Sequence, residues 1–237
     1  MASLLTLALI LIPAYLVGSI PFGLIVGRLK GIDIRQHGSG NIGATNVWRT
    51  LGPKWGGTTF LLDAGKGFLA VRLASELAMA RVTLPVPDDY LAYAEAFAGL
   101  ACIIGHSFPV WLRFSGGKGV ATSLGVILSI MPPIASLIVL VVWVLVFAIS
   151  RYVSLASIAA AVSLPATMAI LYYNQWRSSH SGIRISVIDA PNSISGIDSP
   201  VTLAFASAAA FLVIRRHRDN IKRLIAGTEN RFGKKKN

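Results

Sequence analysis

The sequence predicts an all-α, polytopic membrane protein with seven transmembrane helices, its N-terminus outside and its C-terminus cytoplasmic. Three observations predict it. Of 237 residues, 54% are hydrophobic and only 14% charged, where a soluble domain carries about 25% charged residues. Apolar runs recur along the chain at lengths suited to a bilayer core. Lys and Arg crowd the segments that would lie on one side of that bilayer.

The apolar runs are Leu4–Gly27, Trp55–Ala80, Tyr90–Gly105, Gly119–Pro132, Pro133–Ser150, Tyr152–Tyr173 and Pro200–Ile214. A span needs about 20 predominantly apolar residues, and several of these qualify alone. Ala2–Gly27 carries no charge, lacks the basic start of a signal peptide and shows no clear cleavage site. It is expected to be retained as the first helix. Gly119–Ser150 is uncharged throughout; as one helix it would run roughly 48 Å against a core of about 30 Å. Met131-Pro132-Pro133 supplies the turn, because proline disfavours helix in the residue before it. The first half is then only roughly 21 Å long, so the loop before it is expected to be recessed into the protein.

Orientation follows from the basic residues. With the N-terminus outside, the inner segments hold Arg28, Lys30, Arg35, Arg49 and Lys54, then Arg113 and Lys118, then Arg151. The basic tail 215–237 adds Arg215, Arg216, Arg218, Lys222, Arg223, Arg231 and Lys234–Lys236. Only Arg81, Arg177 and Arg184 lie outside. The positive-inside rule fixes the topology. The net charge of +12 is therefore read as contacts with anionic lipid headgroups and phosphate ligands, not nucleic acid. The single cysteine, Cys102, excludes an internal disulfide and a cysteine-based metal site. The outer segments Val82–Asp89 and Asn174–Ser199 read as solvated loops, the second with an alternating Ile183–Ile188 piece as a candidate hairpin. No internal repeat is evident, and the whole chain reads as one domain.

Three polar motifs face the cytoplasm in this topology. The first runs from His37 through Gly38, Ser39, Gly40, Asn41, Gly43, Thr45 and Asn46 to Arg49. Closely spaced glycines let backbone N–H groups turn toward one point, a nest suited to an oxyanion. Ser39, Asn41, Thr45 and Asn46 add neutral donors, and Arg49 a bidentate phosphate partner. The second runs from Gly105-His106 to Ser115-Gly116-Gly117-Lys118-Gly119, immediately before a helix whose N-terminus favours an anion. The third is His217-x-x-Asn220-x-x-Arg223-Leu224, followed by Gly227 and Glu229. On a helix continuing from the last span, His217, Asn220 and either Arg223 or Leu224 share a face. Within the second span, Asp63 and Lys66 are three apart and pair as a structural element or a substrate contact. Ser154 and Ser157 follow Arg151 and read first as helix-packing serines.

Taken in order, Gly38-Ser-Gly-Asn-x-Gly-Ala-Thr-Asn-x-x-Arg49, Gly105-His-x-Phe-Pro with Gly116-Gly-Lys-Gly-Val-Ala-Thr, and His217-x-x-Asn-x-x-Arg-Leu-x-x-Gly-x-Glu229 resemble the bacterial acyl-phosphate:glycerol-3-phosphate acyltransferase family (PlsY). The resemblance runs from the first helix to the tail. It implies a seven-helix enzyme of the bacterial inner membrane with its site facing the cytoplasm. Such an enzyme acylates glycerol 3-phosphate from acyl phosphate, giving 1-acylglycerol 3-phosphate, and has a functional link to the enzyme that makes acyl phosphate. By motif position, Ser39, Asn41, Arg49 and Lys118 are implied to contact phosphate, with His217 and Asn220 completing the pocket and Ser154 a further carry-over. Lys118, His217, Ser39 and Arg49 are the implied catalytic set. Gly38, Gly40, Thr45, Asn46, His106, Gly116, Gly117, Gly119, Arg223, Gly227 and Glu229 join the binding set. The longer 174–199 segment departs from the family connector.

The chemistry needs no metal or other cofactor, because an acyl phosphate is already activated. Five positions after His37, His106, His180 and His217 stand Ile42, Trp111, Ile185 and Lys222, so the His-x₄-Asp pattern of other glycerolipid acyltransferases is absent. The base for the acceptor hydroxyl is then His217, His106 or the donor's own phosphate, and the last is favoured. An acyl-CoA-dependent acyltransferase, a phosphate or phospholipid transporter and a membrane scaffold share parts of this pattern.

Overall fold

The computed structural model describes residues 2–81, 90–181 and 200–233. Residues 82–89, most of the 174–199 segment with its candidate hairpin, and Lys234–Lys236 lie outside them. The described residues form ten α-helices and no strand, as the apolar runs require. They fall into two compact units.

The first unit holds helices α1 (Ala2–Ser19), α2 (Phe22–Leu29), α3 (Ala44–Leu51) and α4 (Pro53–Arg81), the later part of α5 (Tyr90–Ser107), and α6 (Val120–Ile130) up to Ser129. The sequence placed a single helix over Leu4–Gly27. The structure breaks it at Ile20-Pro21, since proline lacks an N–H and disfavours helix at the residue before it. It also adds α3 within the first polar motif, where a loop was expected. The break between α6 and its successor falls at Met131–Pro132, where the proline pair placed it.

Close backbone approach binds this unit. A Cβ on Gly125 would stand 1.8 Å from the Ala64 carbonyl oxygen, and one on Gly67 would stand 2.2 Å from that of Thr122, so α6 lies tight on α4. Gly105 and Gly18 meet the backbones of Tyr15 and Cys102 in the same way, joining α5 to α1. Small residues at such crossings are how helices pack where lipid removes the hydrophobic drive. On α4, Leu61, Leu69 and Leu73 are exposed while Asp63, Lys66 and Ser75 are buried. Asp63 and Lys66 therefore face protein, while the exposed leucines are available to lipid.

The second unit holds the start of α5 with α7 (Pro133–Ser150), α8 (Val153–Ser181), α9 (Pro200–Arg216) and α10 (Arg218–Ile225). Arg151 closes α7 in the left-handed conformation, φ 62°, and α8 starts two residues later. The loop expected from Asn174 begins later, because α8 continues to Ser181. No glycine or proline interrupts the chain between Tyr173 and Gly182, so nothing there terminates the helix. Helices α9 and α10 step at His217 without losing register: His217 N–H donates to the Val213 carbonyl and Ile221 N–H to that of His217.

Among the described residues, four stretches are long and apolar enough to cross a membrane: Ala8–Leu29, Tyr90–Leu112, Pro133–Ser150 and Val153–Ser178, with Val120–Ile130 a shorter apolar helix.

Candidate active site

The first motif is built around Asn46. Its side chain is buried, and its Oδ1 accepts the Ser39 N–H at 2.8 Å. Its Nδ2 lies 2.8 to 3.1 Å from the carbonyls of Asn41, His37 and Ile34. One amide thus folds the whole turn from Ile34 to Asn41. Gly38 is required there twice over: its φ is +60°, and a Cβ would stand 2.3 Å from Asn46 Oδ1. Asn41 Oδ1 accepts the Gly43 N–H at 2.8 Å and leads into α3. Below lies a core of Leu24, Val26, Ile34, Ile42 and Val47, against which Leu112 from the second motif also packs. Asn46 therefore shapes the loop through its own hydrogen bonds, while Ser39 and Arg49 are exposed and Thr45 is half-buried. At the entrance Asp33 pairs with Arg35. The hydrogen bonds from the Arg35 side chain and backbone hold its carboxyl down at about 2.

The second motif is a hairpin of backbone returning on α5. Gly117 N–H donates to the His106 carbonyl at 3.0 Å. A Cβ on Gly116 would stand 2.3 Å from that same oxygen, and one on Gly117 would stand 2.1 Å from His106 Nε2. Only glycine lets the loop lie on the histidine this closely. Gly119 takes φ +79° and opens α6. Lys118 is half-buried between two buried glycines, while Trp111 and Arg113 to Ser115 before it are exposed.

Behind Lys118 lies a feature the sequence did not disclose. Ser107 and Ser123 are buried around Gly119, and their hydroxyls have no hydrogen-bond partner among the described residues. Small hydroxyls in apolar helices usually bond back to the helix carbonyl, so their spacing alone carried no signal. His106 itself is buried and its Nδ1 faces Lys66 Nζ at 3.0 Å.

The third motif is gathered by Glu229. Its Oε1 accepts from Ser154 Oγ and Asn220 Nδ2, both at 2.7 Å, and its Oε2 from Arg223 Nε at 2.7 Å. Burial pushes the Glu229 carboxyl up, and these three donors outweigh it, holding it below the ordinary value. Gly227, φ +68°, turns the chain so that the carboxylate returns on α10. Arg223, not Leu224, is thus the third member of the face shared by His217 and Asn220. Ser154 and Ser157 separate cleanly: Ser157 donates to Val153 O and accepts from Trp143 Nε1, a packing role. His217 is buried, and its Nδ1 lies 2.8 Å from the Val213 carbonyl. A carbonyl only accepts, so Nδ1 carries the proton and a neutral ring leaves Nε2 as an acceptor.

Residues 8–227 match the family described as glycerol-3-phosphate acyltransferase. The chain belongs to the glycerol-3-phosphate acyltransferase family. It is 41% identical to the glycerol-3-phosphate acyltransferase of Desulforudis audaxviator over 99% of this chain and 100% of that protein. It is 40% identical to that of Aquifex aeolicus over 92% of this chain and 95% of the relative. Among solved structures, it is similar to the glycerol 3-phosphate form of PlsY, an integral membrane glycerol 3-phosphate acyltransferase. That match has a TM-score of 0.75 at 38% identity, with 96% of each chain covered. The lysophosphatidic acid form of PlsY matches with a TM-score of 0.73 at 38% identity over 96% of this chain and 95% of that one. This glycerol-3-phosphate acyltransferase family member is accordingly an all-α membrane protein.

Proposed function

We propose that the protein transfers an acyl group from acyl phosphate to the 1-hydroxyl of sn-glycerol 3-phosphate at the cytoplasmic face of a bacterial inner membrane. The glycerol oxygen bonds to the acyl carbon and the acyl carbon–phosphate oxygen bond breaks. The hydroxyl proton leaves on the departing phosphate, and the products are 1-acyl-sn-glycerol 3-phosphate and inorganic phosphate. The basic-residue asymmetry supports this topology, seven membrane helices with the N-terminus outside and the C-terminus inside.

One observation supports the reading: the first unit carries two glycine-rich turns, the Asn46-folded turn that holds Ser39 and the Gly116–Gly119 loop that holds Lys118, each suited to a phosphate. A reaction with phosphate on donor and acceptor needs two. Lys118 and Arg49 neutralise the leaving phosphate, and the loop N–H groups meet the developing oxyanion. His217, with Nε2 as acceptor, is the group that the family resemblance assigns to the glycerol hydroxyl. His106 is the poorer base, because its Nδ1 already faces the Lys66 ammonium.

The test supplies palmitoyl phosphate, palmitoyl-CoA and palmitoyl-acyl carrier protein separately to purified protein with radiolabelled glycerol 3-phosphate. Product forms from palmitoyl phosphate alone. Turnover of palmitoyl-CoA with none of palmitoyl phosphate would overturn the donor assignment. Uptake of glycerol 3-phosphate into proteoliposomes without acyl transfer would overturn the enzyme.

A further inference from the structure

Two charges of α4 are buried within the first unit. Asp63 and Lys66 are 2% and 4% exposed. The Lys66 ammonium has three acceptors around it: the Ile20 carbonyl at 2.7 Å, Asp63 Oδ1 at 2.8 Å and His106 Nδ1 at 3.0 Å. An ammonium has three N–H donors and no acceptor; the Ile20 carbonyl and His106 Nδ1 take two of them, and the Asp63 carboxylate stands beside it as an ion pair. The Ile20 carbonyl stands at the break between α1 and α2, Asp63 lies one turn away on α4, and His106 belongs to α5. The site is therefore a three-helix junction within one unit, with the Phe22 ring centroid 5.5 Å from Nζ.

A lysine that donates to Nδ1 dictates the rest of the ring. Nδ1 must present its lone pair, so the proton of a neutral His106 is on Nε2. Nε2 is the atom against which Gly117 is packed, and Gly117 is the residue before Lys118. The His106 carbonyl holds the same residue through the Gly117 N–H. Both ends of His106 thus bear on the loop, and Lys66 decides what its ring presents there.

We infer that Lys66, with Asp63 as counter-ion, is a positioning residue that locks His106 in the Nε2–H tautomer and so sets the Gly116–Gly119 loop for its phosphate ligand. Neither residue touches substrate; they act through His106. The inference rests on the function proposed above for the loop, but it is read independently by the state of the imidazole. Asp63 balances the lysine's charge, which a buried site requires. It also lies 3.5 Å from His106 Nδ1, so removing Lys66 alone hands Nδ1 to a carboxylate, which only accepts.

The experiment records the ring-nitrogen resonances of His106 in ¹⁵N-histidine-labelled full-length protein in nanodiscs, assigned by loss in His106→Asn. In the unmodified protein Nε2 is protonated and Nδ1 is not. In Lys66→Met, Nδ1 becomes protonated toward Asp63. In Asp63→Leu/Lys66→Met, which removes both charges and keeps the core volume, the ring populates both tautomers. The double variant keeps the test open where the single variant does not fold. In parallel, KM for glycerol 3-phosphate or for palmitoyl phosphate rises about tenfold in the double variant, while kcat stays within about threefold, the signature of a displaced binding loop. Unchanged ring nitrogens in both variants overturn the inference, as does an altered ring with both KM values within about twofold of the parent. If the unmodified protein makes no lysophosphatidic acid from any acyl donor, the proposed function fails, and the ring-nitrogen result still decides the tautomer lock.

Discussion

Ser154 donates its hydroxyl to Glu229 across 2.7 Å, joining the first turn of α8 to a residue 75 positions later in the tail. The same carboxylate holds Asn220 and Arg223. The tail is fastened again where Phe232 N–H donates to the Arg151 carbonyl and its ring meets Phe147 edge-on. The third motif is thus a clasp, with the acid as its centre.

Glu229→Ala should leave Asn220 and Arg223 without their acceptor and lower kcat/KM more than Ser154→Ala does. Because the three donors share one carboxylate, a cycle of Glu229→Gln with Ser154→Ala should be non-additive by about 0.5–3 kcal/mol. Thermal unfolding of the four proteins in detergent measures it.

The clasp also sets a pH dependence. The folded Glu229 carboxyl titrates below its ordinary value of 4.5. Its contribution is therefore fully present above 4.5 and is lost as pH falls through the lower, folded value. Unfolding temperature recorded downward from pH 6 should fall more steeply in the parent than in Glu229→Gln, which carries no titrating group there.

Lys118→Ala should reduce kcat/KM about a hundredfold or more, because a cation at the leaving phosphate acts where charge develops. The unfolding temperature should stay close to that of the parent. Near-normal turnover of palmitoyl phosphate by this variant would refute the role given to the lysine.

His217→Ala should cost less than about a hundredfold in kcat, below the range of a lost general base. Its pH–rate profile should keep the shape of the parent's, since the donor phosphate takes the proton. A disappearing limb near neutral pH would make His217 the base.

Asn46→Ala should destabilise the protein by about 1–3 kcal/mol, the cost of leaving buried backbone donors and acceptors unmet. It should also raise KM, since Ser39 loses the bond that fixes its backbone. Circular dichroism melts together with initial rates separate the two effects.

The sequence disclosed the helical class, the proline turn after α6 and all three motifs, because periodicity, charge asymmetry and glycine spacing are local signals. It did not disclose α3, whose eight residues are too short and polar for a periodic run to stand out. It also missed the break at Ile20, though Pro21 was in plain view; Pro13 sits unbroken inside α1, so proline alone does not settle the matter. Asn46 and Glu229 read as ligand contacts because their side chains suit that work. The structure engages them with their own loops, a distinction set by tertiary partners and invisible in spacing.

The gap between α1 and α2 ties the backbone at Pro21 to a charge 46 residues from Ile20. A straight helix would direct the Ile20 carbonyl along its own axis toward residue 24, and the ammonium of Lys66 would lose a neighbour deep in apolar surroundings. Positions 21 and 66 are therefore coupled: a chain straightened at the first leaves the ammonium at the second, and with it Asp63, short of an acceptor.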